Sequence, residues 1–248
     1  MLTIELAGGL GNQLFQLAAL DHIGRRTGRR VVIESAGSSA HSKENYFESI
    51  FRDWKIARPR PSFPFNIKDS GSVFSDWTHV LTTPHNCRIH GYFQNWQYVD
   101  ESFKQRLRFD NGILAKYPDI ASKVFIHVRG GDYVNHWLHD IKLDEYYARA
   151  IAEFPVDTRF VIFTNDVMYA STRPWISSIQ HIFIQENETN SLLLMRMCAG
   201  CICANSSFSW WGAFLNPNRK IVMPDKWFTH PDCYSDGYYF PGVIKCPV

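Results

Sequence analysis

Cysteine is scarce in this chain: six residues in 248. Cys198, Cys201 and Cys203 lie in an apolar run with no second C-x-x-C and no paired histidine, so buried thiols are expected there rather than a zinc site. That usage fits a reducing compartment, and the cytoplasm is the expected location. Charge of one sign is lacking too. Lys plus Arg number 26 against 24 Asp plus Glu, a net +2, which removes any general case for nucleic acid or an acidic membrane as partner. No apolar run approaches the ~18 residues of a membrane span, and MLTIELAGGL has neither a basic leader region nor a long apolar core. A protein without a membrane span, not exported by this route, is therefore expected. Missing as well are a D-x-D pair, an H-E-x-x-H helix and a Walker G-x-x-x-x-G-K-[ST] loop, so no metal ligands are assigned.

Aromatic residues, by contrast, make up 15% of the chain, and Trp and Tyr beyond the needs of a core often face sugars or flat rings. The length suits one large α/β domain or two lobes. Leu2 to Leu6 reads as a buried strand, Ala7 to Gly11 as a glycine loop, Asn12 to Arg26 as an amphipathic helix and Val31 to Ile33 as a second strand. A strand, Gly-x-Gly turn, helix and strand ending near Glu34 raise a dinucleotide-binding alternative, but its third glycine position is Leu14, where a bulky side chain opposes close helix-to-strand packing. Arg25, Arg26, Arg29 and Arg30 surround the end of that helix, where cations are favoured. Prolines 59, 61 and 64 make Arg58 to Phe65 a surface loop. Arg88 to Phe93 returns to the sheet, and Gln94 to Leu107 suggests a helix with Trp96, Val99, Phe103 and Leu107 on one face.

The pattern weakens around Asp110 to Pro118. A lobe boundary is expected between Asn111 and Lys123, giving lobes 1–117 and 118–248. Beyond it, strands at Val124 to Val128, Arg159 to Phe163, His181 to Ile184 and Cys201 to Ala204 alternate with helices at Leu143 to Phe154 and Ser191 to Met197, as a parallel sheet requires. Three polar loops leave these strands: His127 to Asp132, Thr164 to Asp166, and Asn205 to Ser209. Ligands of open parallel sheets bind where such loops meet.

The stretch ANSSFSWWGAFLN, Ala204 to Asn216, joins a strand end to a helix beginning near Trp210. Backbone N–H groups at its turn, with Ser206, Ser207 and Ser209, suit an anion. Two adjacent tryptophans cannot share one helix face, so Trp210 and Trp211 are expected to divide between core and cleft. Arg129 can grip a phosphate through a charge-assisted contact, and the two glycines after it let backbone approach. Together these donors suit departure of a diphosphate without a metal ion.

These residues carry a family resemblance. HVRGGDY, His127 to Tyr133, resembles the H-x-R-R-G-D-Y motif of the α-1,2-fucosyltransferase family, and ANSSFSWWGAFLN resembles its C-terminal signature. GGLGNQLFQ, GYFQNWQYV, the FTND stretch at Phe163 to Asp166 and Lys226-Trp227-Phe228 match in order. The resemblance implies an inverting, metal-independent glycosyltransferase with two Rossmann-like lobes of the GT-B type. It implies GDP-fucose as donor, bound mainly by the C-terminal lobe, and a glycan acceptor, a galactoside at its 2-hydroxyl, on the N-terminal lobe. Arg129 matches the arginine that holds the diphosphate, Asp166 a position near the nucleoside, and Gly9, Gly11, Asn12 and Gln13 a loop lining the cleft. The donor set is completed by Asn205, Ser206, Ser207, Phe208 and Ser209. Gly130 departs from the motif's second arginine, and Ser191 stands where an acidic residue is usual. The first departure leaves the phosphate role of Arg129 intact and leaves open another nucleotide sugar.

Within this reading several roles have two candidates. Asp132 is either the base that takes the acceptor proton or the group that orients Arg129. His127 is either a second base or a packed strand residue, and Asn12 either orients the acceptor or caps the first helix. Tyr92 and Trp96 offer a sugar platform or simply pack. A nicotinamide oxidoreductase and a non-catalytic glycan-binding protein are the remaining classes.

Overall fold

The computed structural model describes residues 1–35, 44–57, 65–69, 71–75 and 86–248. The chain divides into two compact units: Met1–Phe109 with Asp236–Tyr239, and Asp110–Ser235 with Phe240–Val248. Each carries its own parallel sheet.

In the first unit, β1 (Leu2–Glu5), β2 (Val31–Ser35), β3 (Phe65–Lys68) and β4 (Cys87–His90) form a sheet in the order β2-β1-β4-β3, every pairing parallel. Helix α1 (Leu10–Thr27) crosses between β1 and β2 and ends on a left-handed Gly28 with Arg25 and Arg26 in its last turn, as the basic run predicts. Leu14, Phe15, Leu17, Ala18 and Ile23 are buried with Leu2, Ile4 and Ile89. Residues 58–64 of the proline-rich loop lie outside the described residues, while Phe65 opens β3.

The helix expected over Gln94 to Leu107 does not form as one element. It resolves into a 3-10 turn at Trp96–Tyr98 and a short helix α2 (Glu101–Lys104). The cause is local. The Asn95 side chain accepts from Gln97 N at 2.9 Å and so starts a turn, and Val99 and Asp100 are extended. Apolar spacing still holds for Phe103 and Leu107, which are buried.

In the second unit six strands lie in the order β10-β9-β8-β5-β6-β7, all parallel. They are β5 (Val124–Val128), β6 (Arg159–Thr164), β7 (Gln180–Ile184), β8 (Gly200–Ile202), β9 (Lys220–Pro224) and β10 (Val243–Cys246). Helices α3 (Asp144–Ala152), α4 (Val167–Ser171), α5 (Glu188–Met197) and α6 (Ser207–Phe214) supply the crossovers. Ile126, Ile162, Ile202 and Val222 from four neighbouring strands share a core with Tyr146, Tyr147 and Trp175. The chain runs from β5 outward to β7, then returns to β8 beside β5 and runs outward the other way. Strand order therefore reverses between β5 and β8, the place where open α/β sheets bind ligands.

Candidate active site

Two loops meet at this reversal. The first leaves β5 at Arg129 and the second leaves β8 at Cys203. Arg129 is held by its neighbours in sequence: its Nη2 donates to Asp132 Oδ2 at 2.9 Å and lies 2.8 Å from Oδ1, and its guanidinium sits 5.1 Å from the Tyr133 ring centre. The side chain is only 13% exposed, yet its Nε has no hydrogen-bond partner. An unsatisfied buried donor on a permanent cation costs stability unless an anion completes it.

Asn165, at the tip of the β6 loop, fixes the turn. Its Oδ1 accepts from Gly130 N at 2.9 Å, and its Nδ2 donates to Gly130 O at 3.3 Å and to Asp132 Oδ1 at 3.4 Å. Gly130 is required by space: a Cβ there would stand 2.9 Å from both Asp166 Cβ and Tyr169 Cδ1. Gly131 is required by conformation, at φ +56°. Asp166 caps α4, accepting from Tyr169 N at 2.9 Å. The FTND stretch thus shapes the arginine loop as well as standing beside it, a role for Asn165 that residue types alone did not reveal.

The Ala204 to Asn216 stretch is corrected in two respects. Trp210 and Trp211 are both fully buried, 0% exposed, Trp210 stacking on Phe214 at 4.5 Å; neither reaches a cleft. Helix α6 is buried around most of its circumference, from Ser209 to Phe214, so two faces at once belong to the core. Ser209 likewise turns inward, its hydroxyl donating to Ala204 O at 3.3 Å and Ser206 O at 3.2 Å. Ser206 caps α6, its Oγ accepting from Phe208 N at 3.4 Å. Asn205 ties two further loops down, its Nδ2 donating to His139 O and Trp227 O, each at 2.9 Å. That bond explains why Lys226-Trp227-Phe228 belongs with the signature. Ser207 and Phe208 are partly exposed.

His127 is also corrected. It is 3% exposed, its ring lies 5.7 Å from Phe208, and burial, aided by the charge of Arg129, pushes its pKa down to about 3. A ring so enclosed is a packed strand residue and not a base for an acceptor hydroxyl. Burial similarly pushes the Tyr133 phenol up and His139 down, the latter with help from His136.

A pocket of about 370 Å³, open solvent included, lies beside Arg129 and is lined by Tyr133, Asp140, Tyr147, Arg173 and Asn205 among others. Burial works against the Asp140 carboxylate, but Lys142 and the Asn135 N–H hold its pKa below the usual range.

In the first unit the GGLGNQLFQ side chains serve the turn itself. Gln13 Nε2 donates to Gly8 O at 2.8 Å, Gln16 Oε1 accepts from Ala7 N at 2.9 Å, and Gln94 Nε2 donates to Asn12 Oδ1 at 2.8 Å. Gly9, not Asn12, is the N-cap of α1, and Gly11 is buried in its first turn. Glu34, the residue a dinucleotide would need for its ribose, is buried and accepts from Arg88 Nε at 2.6 Å. With Leu14 0% exposed at the third glycine position, the nicotinamide reading has no site here.

Two α/β units, each built on a parallel sheet, with a buried cation at the switch point of the second, have the GT-B fold. Solved structures agree on the fold. NodZ α-1,6-fucosyltransferase from Bradyrhizobium, soaked with GDP-fucose, matches with TM-score 0.52 at 16% identity over 92% of this chain and 97% of that one. Arabidopsis thaliana FUT1 in complex with GDP matches with TM-score 0.55 at 12% identity over 90% and 70%. Among characterised sequences, an Escherichia coli alpha-1,2-colitosyltransferase is 29% identical, covering 93% of each chain. A Caenorhabditis elegans galactoside 2-alpha-L-fucosyltransferase is 23% identical over 90% of this chain and 71% of its own. Residues 88–233 match the model of glycosyl transferase family 11, and the chain belongs to that family. It is a fucosyltransferase-like glycosyltransferase.

Proposed function

We propose that the enzyme transfers L-fucose from GDP-fucose to a glycan hydroxyl, the 2-hydroxyl of a galactoside, with inversion at the anomeric carbon. The observation that carries this reading is the buried, partnerless Nε of Arg129 at the strand reversal. The diphosphate meets the part of that guanidinium that stays exposed. As the acceptor oxygen attacks the anomeric carbon its proton passes to solvent, the bond from that carbon to the diphosphate breaks, and the negative charge gathering on the leaving group meets Arg129. The Ser206 to Phe208 turn adds its remaining donors. Preorganised contacts of this kind are worth on the order of 10²–10³ in rate each. Asp132 orients the guanidinium in this account, since both its oxygens face the same nitrogen. Asp166 stands toward the nucleoside. Residues 118–248 serve the donor, and 1–117 the acceptor.

A second donor is favoured by one observation. A 29% identical relative is an alpha-1,2-colitosyltransferase. Incubation with GDP-fucose or GDP-colitose and a set of β-galactosides, following GDP release and solving the product linkage by NMR, separates the two sugars. Absence of GDP release from either donor, together with no thermal shift by GDP, overturns both. A cytoplasmic location belongs to the same reading and is supported by the buried thiols of Cys198, Cys201, Cys203 and Cys246. Among the described residues no helix is long and apolar enough to cross a membrane.

A further inference from the structure

The segment after the arginine loop, Tyr133 to Asp140, carries a feature that donor binding does not use. Its rings stack in series. The Arg129 guanidinium lies 5.1 Å from the Tyr133 ring; Tyr133 stacks on His139 at 4.7 Å and 14°; His139 meets His136 at 4.7 Å and 34°; His136 stacks on Trp137 at 6.2 Å and 21°. The ladder begins on a buried cation and ends on an indole that is 74% exposed. That exposure is anomalous, because an unanchored loop would fold so large an apolar ring inward.

The loop is firmly held. Thr229 N donates to Leu138 O at 2.9 Å and its hydroxyl to Trp137 O at 2.6 Å. Asn205 holds His139 O, Asp140 Oδ2 accepts from Asn135 N at 2.7 Å, and Leu138 N donates to His136 Nδ1 at 3.2 Å. Asn135 takes φ +59° to make the turn, a conformation non-glycine residues adopt at a cost. Backbone strain and five anchors thus fix an open indole face in space, which is preorganisation for a flat, apolar-faced ligand.

We propose that Trp137 is a specificity residue that stacks on a pyranose ring of the acceptor glycan, presenting the indole to the sugar's C–H face. The inference rests on the glycosyltransferase reading and deepens it. The ligand assignment follows from position. A donor sugar is joined directly to the diphosphate and stays beside Arg129, whereas Trp137 ends the ladder four contacts from that guanidinium. A saccharide reaching that ring is one the enzyme receives rather than gives, so acceptor recognition draws on an element of the second unit.

The test uses the full chain labelled with 5-fluorotryptophan, the Trp137 resonance being assigned as the one missing in Trp137→Phe. Titration with lactose and with N-acetyllactosamine is expected to shift that resonance selectively, and GDP is expected to leave it in place. In kinetics, Trp137→Ala is expected to raise acceptor KM about tenfold, equivalent to ~1.4 kcal/mol, with donor KM and the GDP thermal shift unchanged. Trp137→Phe should recover most of the loss. A rise in KM alone marks lost ground-state binding. An unshifted Trp137 resonance up to the solubility limit of both glycans, or an unchanged acceptor KM in Trp137→Ala, overturns the proposal. Failure of the functional reading looks different: the unmodified protein then neither binds GDP nor releases it from a sugar donor.

Discussion

Adding a single methyl group at Gly130 tests how the arginine loop is built. The glycine's φ of −104° lies outside the left-handed region, so Gly130→Ala reports mainly on space. Its Cβ would stand 2.9 Å from Asp166 Cβ, 2.9 Å from Tyr169 Cδ1 and 3.1 Å from Tyr169 Cγ, against the ~3.5–4.0 Å of an ordinary carbon contact. None of these is the loose end of a flexible chain. Asp166 is pinned as the cap of α4, and the Tyr169 ring carries the Arg173 guanidinium 4.0 Å from its centre. Forcing a methyl group into such a place costs about 1–3 kcal/mol. At ~2–4 °C per kcal/mol for a domain of this size, the midpoint should fall by roughly 2–12 °C. Differential scanning fluorimetry measures it, with Tyr169→Ala and the double variant closing a cycle. The double variant should be more stable than the sum of the two single losses, because the clash then has space to relax into. A midpoint for Gly130→Ala equal to that of the unmodified protein would refute the packing argument. Gly130→Arg should fare worse than alanine for the same reason.

Two further variants separate roles at the same loop. Asp132→Asn keeps the shape but removes the charge that orients Arg129; donor KM should rise while the pH profile keeps its form, and kcat should fall by less than the ~10²–10⁴ that loss of a general base costs. A kcat drop in that range with a lost acidic limb would instead make Asp132 the base. His127→Gln tests burial. The folded ring titrates near 3 rather than 6.5, so above 6.5 both states are neutral and nothing is lost. As pH falls from 6.5 toward 3 the unfolded chain takes up a proton that the folded chain refuses. Stability then drops by up to about 1.4 kcal/mol per pH unit. Thermal midpoints against pH should show a shallower acid slope for His127→Gln; identical slopes would contradict the burial account.

Much of the second unit was legible in its sequence because its central strands are nearly continuous apolar runs. Val124 to Val128 and Arg159 to Phe163 announce parallel strands covered on both faces. The strands that escaped notice lack long apolar runs: Phe65–Lys68 is mostly exposed, β9 is buried but brief, opening on Lys220 and closing on Pro224, and only Cys246 of β10 is buried. The Gln94 to Leu107 helix was misjudged because its apolar spacing is genuine, while the Asn95 cap and the extended Val99 act through the backbone and leave no mark on periodicity. The tryptophan pair misled for an opposite reason. Adjacent positions do face different ways, but α6 is enclosed on several sides, and enclosure is a tertiary property. Arg129, Asn205 and the Thr164 to Asp166 loop could be read as convergent from strand order alone. The bond between Asn165 and Gly130, and the inward turn of Ser209, could not, since residue type says that a side chain can bond and not to whom.

The central claim is that Arg129 receives the diphosphate of a sugar nucleotide. Isothermal titration of GDP into the unmodified protein, Arg129→Lys and Arg129→Ala tests it without knowledge of the acceptor. A hydrogen bond to a charged group is worth ~1.5–3 kcal/mol, so Arg129→Ala should bind GDP about 10- to 150-fold more weakly. Arg129→Lys should fall between, and both variants should keep a cooperative thermal transition. Equal affinity for GDP in the unmodified protein and in Arg129→Ala would contradict the account.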